Sequence, residues 1–321
     1  MSSSEGRVVS SKQRLACLSG FLLSTFYCPR GWLSMPSTIT LKRKIGSIRN
    51  TRQITKAMEL VSASKLRRAQ EYAMRSRAYR DLAYDLLTRL GAMPEVERQP
   101  LFEKRPVKNR LYVVITSNTG LAGAYNANVL KLLAESLRTE HGEKSKSHVI
   151  TIGSKGAQFV RRLKAVELLA AYPAFGDQPT ANDVRPILNT LIEQYKNKSV
   201  DEVNIVYTVF KSTVVQQTQN LQLLPAVAPT SDIGSSDISN FEPDVETVID
   251  QIATRLIEAQ VWQAVLESLA SEHAMRMVAM KNATDNAKDL IDDYTLELNT
   301  ARQASITQEL AEITGGAEAL K

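Results

Sequence analysis

Residues 244–321 read DVETVIDQIATRLIEAQVWQAVLESLASEHAMRMVAMKNATDNAKDLIDDYTLELNTARQASITQELAEITGGAEALK. No proline occurs among them, and glycine is absent until Gly315 and Gly316. Alanine, glutamate, leucine and methionine, all strong helix formers, dominate the stretch. One uninterrupted helix here extends on the order of 100 Å at about 1.5 Å per residue. Helices in compact domains stop near about 20 residues, so this one is a coiled-coil strand, a membrane span or a mechanical shaft.

The spacing of its side chains decides among these. Met277, Met280, Thr284, Ala287, Ile291, Tyr294, Leu298, Ala301 and Ser305 alternate in steps of three and four, the seam of a left-handed coiled coil. The other faces carry Glu272, Arg276, Lys281, Asp285, Lys288, Asp289, Asp292, Asp293 and Glu297, which a bilayer core excludes. The helix therefore pairs in water. Its seam is small and partly polar, which favours close backbone approach over a deep apolar interface.

A second long helix is expected from about Ile39 to Gly91, capped by Thr38 or Thr40 and closed by Pro94. Between residues 41 and 81 it holds twelve basic residues against three acids, a net charge of +9. The C-terminal stretch carries fourteen acids and six bases, a net of −8. Two long helices of opposite charge are natural antiparallel partners, with charge setting orientation more than stability. A basic helix also suits nucleic acid. Here no aromatic residues interleave with the charges, and an internal acidic partner already accounts for the excess.

At 321 residues, with 43% hydrophobic and 23% charged side chains, the chain is long enough to bury a real core. No run of eighteen apolar residues occurs, so no membrane-spanning helix is expected. The two cysteines, Cys17 and Cys28, lie in the first thirty residues, so the body carries neither disulfides nor thiolate ligands. His141, His148 and His273 show no ligand spacing. Residues 1–34 are serine-rich with a single acid, Glu5, and a short apolar run from Leu15 to Tyr27. They admit three readings: a false start upstream of Met35, which is favoured, an organelle transit peptide, or a secretory signal.

Between the long helices the period changes. Leu111 to Thr116, His148 to Ile152, Val203 to Phe210 and Val214 to Leu224 read as strands. Ala124 to Arg138, the segment after Gly153 up to Leu163, and Asn182 to Lys196 read as helices. Strands alternating with helices indicate an open, Rossmann-like α/β sheet. The expected organisation is an extension over 1–37, a coiled-coil helix over 38–94, an α/β domain over 95–224, a linker over 225–243 and a coiled-coil helix over 244–321. Gly153-Ser154-Lys155-Gly156 follows a strand as a phosphate loop does, but lacks the GxxxxGK[ST] spacing. Gly120 and Gly123 lack the GxGxxG fingerprint. Both read as tight turns. No nucleophile, base and orienting group share a pattern, and no cofactor or metal is expected.

Three strings carry a specific resemblance. IGSIRNTRQITKAMELVSASKLRRAQ (residues 45–70) resembles the N-terminal helix signature of the gamma subunit of F-type ATP synthase. SEHAMRMVAMKNATDNA (residues 271–287) is similar to its C-terminal counterpart, and ARQASITQELAEITGGA (residues 301–317) to the family's end signature. The resemblance implies the central stalk of a rotary motor: an α/β fold with a two-helix shaft inside a ring of alpha and beta subunits. The α/β foot would stand on the c ring beside the epsilon subunit, and the ATP chemistry would belong to beta. It also implies partner contacts for Lys56 and Met58 on the first helix, for Arg276 on the second, and for Arg302, Gln303 and Thr307 near the apex. Arg276 has an alternative role as partner to an acid on the first helix.

One string departs from the family. Members commonly carry TSDRGLCGGYN, where this chain has TSNTGLAGAYN over residues 116–126. Asn118 and Thr119 replace an Asp-Arg couple, which puts contacts made through that couple in doubt. The chain also lacks the cysteine-bearing insertion of the chloroplast form. That absence argues against a light-regulated chloroplast enzyme. The uninterrupted body and the favoured false start give an expected location that is peripheral, on the cytoplasmic face of a bacterial plasma membrane. A real transit peptide over residues 1–34 would give the matrix face of the mitochondrial inner membrane instead. The rival classes are a nucleotide-binding α/β enzyme with coiled-coil dimerisation arms, and a coiled-coil scaffold or chaperone.

Overall fold

The computed structural model describes residues 37–90, 99–103, 105–140, 146–163, 166–176, 179–226 and 245–320. The expected extension up to residue 36, the closure at Pro94, and all of the linker beyond Ala226 lie outside them. The elements are α1 (Thr38–Leu90), β1 (Asn109–Ile115), α2 (Tyr125–Glu140), β2 (Lys146–Ile152), α3 (Ser154–Val160), β3 (Glu167–Tyr172), α4 (Ala181–Lys196), β4 (Glu202–Phe210), β5 (Gln216–Leu224) and α5 (Val245–Ala319). The expected cap of α1 is corrected by one residue: the Ser37 hydroxyl accepts the Thr40 amide at 3.3 Å.

The sheet order is β3-β2-β1-β4-β5. The first four strands are parallel and β5 runs antiparallel beside β4. β1 is buried on both faces, which is why LYVVI reads as a continuous apolar run. Its odd positions Leu111, Val113 and Ile115 face one layer of helices, and its even positions Tyr112 and Val114 the other. β3 was not legible as a strand. It is an edge strand whose alternate residues Leu168, Ala170 and Tyr172 are only half-buried. β5 begins at Gln216 rather than Val214, because Ser212 and Val215 close the hairpin: the Ser212 amide donates to the Val215 carbonyl at 2.9 Å.

Val129, Leu133 and Leu137 of α2 and Val160 of α3 cover the even face. Val184, Ile187 and Leu191 of α4 cover the odd face together with Ile249, Leu256, Ile257, Val261 and Val265 of α5. The long C-terminal helix thus starts life as a core element of the sheet unit. From Leu256 to Ala274 it is buried nearly all round, with the sheet on one side and α1 on the other. Such a helix is apolar or small over most of its surface. Its buried Glu258, Gln263, Glu267 and Glu272 are paired, Glu258 with Arg255 and Arg185, Gln263 with Glu267, and Glu272 with Arg276.

Where α1 crosses this buried stretch, Leu66 and Ala69 meet Leu269, Ala270 and Ala274. Ala270 is fully buried, so the two backbones approach closely. Ala270→Leu is expected to cost about 1–3 kcal/mol by overpacking. At roughly 2–4 °C per kcal/mol this is a melting-temperature drop of several degrees by scanning calorimetry. An unchanged transition would contradict the close approach.

Above Arg276 the chain is a two-helix shaft. Antiparallel register is fixed by a hydrogen bond from Thr284 Oγ1 to Thr55 Oγ1 at 2.8 Å and by Lys44 Nζ stacked 5.4 Å from the Tyr294 ring. Met280, Thr284 and Ala287 are buried, and Ile291, Tyr294, Leu298 and Ala301 are half-buried, following the expected seam. Ser305 is exposed, so the seam ends before it. From Arg302 to Leu320 every residue is exposed, because α1 begins level with Ala301. The bare apex of α5 is roughly 25 Å long.

Candidate functional site: turns and grooves along the shaft

The Gly153 turn stands at the C-terminal ends of the strands, the place where open α/β sheets hold ligands. Its four consecutive amides are all consumed inside the protein. Gly153 donates to the Tyr172 carbonyl at 2.8 Å, Ser154 to Asn118 Oδ1 at 3.2 Å, Lys155 to the Ser117 carbonyl at 3.2 Å and Gly156 to Thr116 Oγ1 at 2.9 Å. The close approach to Thr116 is what demands glycine. A Cβ on Gly153, whose φ is +103°, would lie 2.2 Å from the Thr116 carbonyl oxygen. A phosphate cradle offers its amides outward; this turn spends them on β1 and its neighbours.

Two measurements follow. Gly153→Ala is expected to destabilise the foot by about 3 kcal/mol through clash and positive φ, lowering the melting temperature of the purified chain. Titration calorimetry with ATP is expected to give no tight binding. A saturable heat would contradict the internal use of those amides.

The neighbouring turn, residues 116–126, lies against the shaft. Asn118 Oδ1 accepts from the Ser154 and Ala174 amides at 3.2 and 3.0 Å, and its amide nitrogen donates to the Ala174 carbonyl at 3.2 Å. Asn126 Oδ1 accepts the Ser117 amide at 3.0 Å. Thr119 Oγ1 accepts a hydrogen bond from Arg276 Nη2 at 3.2 Å. Of the four residues that depart from the family string, Asn118 and Thr119, which stand for the Asp-Arg couple, are therefore tied inside this chain; Ala122 and Ala124 replace a cysteine and a glycine. A Cβ on Gly123 would touch the Met275 carbonyl oxygen and the Ala279 Cβ, each at 3.6 Å, so the turn sits in contact with α5.

Arg276 also pairs with Glu272 one turn back on its own helix, at 2.7 Å, with both side chains nearly buried. Its ion partner in that bridge is on α5, not an acid of α1 as the sequence alternative had it. Beneath them the Tyr125 hydroxyl is fully buried. Burial first, and the Glu272 charge second, push its pKa above the ordinary phenol value, while a hydrogen bond from Ser268 acts the other way. The phenol keeps its proton at any physiological pH.

Above this buried set, a groove of about 300 Å³ is lined by Ala57, Met58, Val61, Ser62 and Lys65 of α1, Thr119 of the turn, and His273 and Arg276 of α5. Met58 and Arg276, drawn from opposite ends of the sequence, meet here. Lys56 does not line it; its ammonium pairs with Glu59 at 3.1 Å on the same helix. Arg302, Gln303 and Thr307 stand roughly 40 Å further along α5, on the bare apex. There the Thr307 hydroxyl donates to the Gln303 carbonyl at 2.9 Å. Thr119 and His273 were missed as groove residues by sequence reasoning. The spacing of Glu272 and Arg276, four apart on one helix face, was the available signal for their pairing.

Among the described residues, no group of His, Cys, Asp and Glu is placed to hold a metal ion. No described helix is long and apolar enough to cross a membrane.

A helical shaft rooted in a five-stranded α/β foot is the architecture of a rotary-ATPase central stalk. The family model described as ATP synthase matches residues 37–320. The ATP synthase gamma chain of Moorella thermoacetica is 42% identical over 281 residues, covering 88% of this chain and 98% of that one. That of Staphylococcus saprophyticus is 38% identical over 289 residues, covering 89% and 100%. The chain belongs to the ATP synthase gamma-chain family, whose members are non-catalytic stalk subunits. The same fold occurs in the Euglena gracilis mitochondrial ATP synthase, with a TM-score of 0.64, 20% identity and coverage of 88% of this chain and 94% of that one. It occurs again in the central stalk and c-ring structure from Tetrahymena thermophila, with a TM-score of 0.56, 23% identity and coverage of 72% and 99%.

Proposed function

We propose that this chain is the rotor of a proton-translocating ATP synthase, carrying rotation of a c ring to the catalytic beta subunits of an alpha-beta ring. The observation that supports this most is the continuity of α5. One helix of 75 residues begins in the core of the foot and ends as a bare apex, without a break at which a twist would dissipate. Such an element turns the foot and the apex together.

Four kinds of contact follow from that reading. The foot meets the c ring and the epsilon subunit. The Met58–Arg276 groove, with Lys56 beside it, meets the beta subunits. Arg302, Gln303 and Thr307 meet alpha and beta loops at the apex. An asymmetric shaft does work on its partners only where a contact differs among the conformations of beta, since a contact equal in all states shifts nothing. The chain itself is peripheral, held at the cytoplasmic face of a bacterial plasma membrane through the c ring; both relatives named above are bacterial.

The decisive experiment is assembly with alpha, beta, epsilon and the c ring in vesicles. ATP-driven proton uptake and rotation of a probe on the foot are expected. Hydrolysis by alpha and beta with a stationary probe would overturn the reading. A second test uses Arg302→Ala combined with Gln303→Ala. Both side chains are exposed, so the melting temperature of the free chain is expected to stay within about 1 °C, consistent with small effects of surface substitutions. Proton pumping is expected to fall several-fold, and unchanged pumping would remove these two residues from the partner contact.

A further inference from the structure

β4 outruns its parallel neighbour. Pairing between β1 and β4 ends at Val114 and Val206, whereas β4 continues to Phe210 against β5 alone. The edge that β1 vacates is closed by the shaft. Thr208 is fully buried, and both of its backbone groups go to α5. Its amide donates to Ser268 Oγ at 3.2 Å, and its carbonyl accepts from Ser271 Oγ at 3.2 Å. Both serines are fully buried.

Ser268 reaches further. Its hydroxyl lies close enough to the buried Tyr125 phenol to act on its titration, and that phenol stands 3.5 Å from the carbonyl of Ile115, the last residue of β1. The upper end of β4 is thereby attached to one turn of α5, with the end of β1 close by.

We propose that Ser268 and Ser271 are positioning residues that key the shaft to the foot, delivering rotation of the sheet to α5. The proposal rests on the central-stalk reading given above. The argument is one of directionality. Apolar packing of Leu256, Ile257, Val261 and Val265 on the sheet holds α5 down, but it is non-directional and tolerates a small turn of the helix about its own axis. Hydrogen bonds do not tolerate it, since they weaken steeply with angle and length. A buried backbone amide or carbonyl stripped of its partner is expensive, with no water at hand to replace the bond. Serine residues three apart lie on one helix face, so a single strand residue engages both. Serine is short enough to make these bonds only while the backbones stay close.

The test uses the complete ATP synthase built with this chain, its alpha-beta ring fixed to a surface and a probe on the foot. Angular variance of the probe during ATP-waiting dwells reports torsional stiffness between foot and crown. Ser268→Ala combined with Ser271→Ala is expected to raise that variance at least twofold, with the rate of ATP hydrolysis within twofold of the unmodified complex. The control is Thr151→Val, another fully buried hydroxyl, on β2, which among the described residues is bonded to nothing on α5. It is expected to leave the variance unchanged. Equal variance in the double variant and the unmodified complex would overturn the proposal, and so would an equal rise in the Thr151→Val control. If the double variant does not assemble, either single variant is read by the same variance, with the same two outcomes. An unmodified complex that hydrolyses ATP without rotating would instead overturn the central-stalk reading itself.

Discussion

Replacing Ala287 with proline is expected to abolish ATP-driven proton pumping by a complex built with this chain. Ala287 is buried in the seam, one turn above the Thr284–Thr55 contact. Proline there removes one helix hydrogen bond and drives its ring against the carbonyl four residues back, at a cost of about 3 kcal/mol or more. The geometric effect is larger than the energetic one. Roughly 45 Å of helix lies beyond residue 287, so a kink of about 20° displaces the apex by about 15 Å. That is more than a helix diameter, and the apex no longer shares the axis of the foot. Ala287→Gly separates the two effects: it costs about 1 kcal/mol of helix propensity without a forced kink, and is expected to keep pumping. Fluorescence quenching in inverted vesicles reads both. Normal pumping by the proline variant would show that the upper shaft need not be one continuous element.

The seam behind that prediction was legible because a coiled coil announces itself by period. The three-four spacing from Met280 to Ala301 coincides with the covered positions of α5. The buried central strands were equally plain, since Leu111–Ile115 is an unbroken apolar run and Val203–Val206 is interrupted only by Asn204. β3 was hidden because an edge strand with half-buried alternate residues leaves only a weak signal, and ELLAAY suits a helix as well as a strand. The base of α5 was hidden for a different reason. Its run from Leu256 to Ala274 is covered on all sides, so no single face stands out, and Ser268 and Ser271 look like poor core residues until a strand edge is placed beside them. The groove escaped because it joins three segments distant in sequence: Met58, Thr119 and Arg276. Periodicity reads contacts along one element; it carries no information on which elements meet.

A fragment comprising residues 99–226 is expected not to fold, although it contains every strand of the sheet. The odd face of that sheet is covered by α4 and by α5, whose five large buried side chains there are Ile249, Leu256, Ile257, Val261 and Val265, each no more than 2% exposed. Burial of such a side chain contributes about 1.5–3 kcal/mol, so the five together contribute roughly 7–15 kcal/mol. The net stability of a whole domain is about 5–15 kcal/mol, and removing the base of α5 consumes it. It also orphans the backbone of Thr208, which has no other partner on that edge to replace the two serines. Circular dichroism of residues 99–226 is expected to show no cooperative thermal transition, and limited proteolysis no resistant core. Appending residues 245–276 is expected to restore both, since that length carries the five apolar side chains, Ser268, Ser271 and the Arg276 bond to Thr119. Cooperative melting of the shorter fragment would mean that the sheet is complete without the shaft, and that α5 merely leans on it. Failure of the short fragment together with rescue by the longer one would mean that the foot cannot exist unless the shaft is already seated in it, so that a turning foot carries the shaft with it.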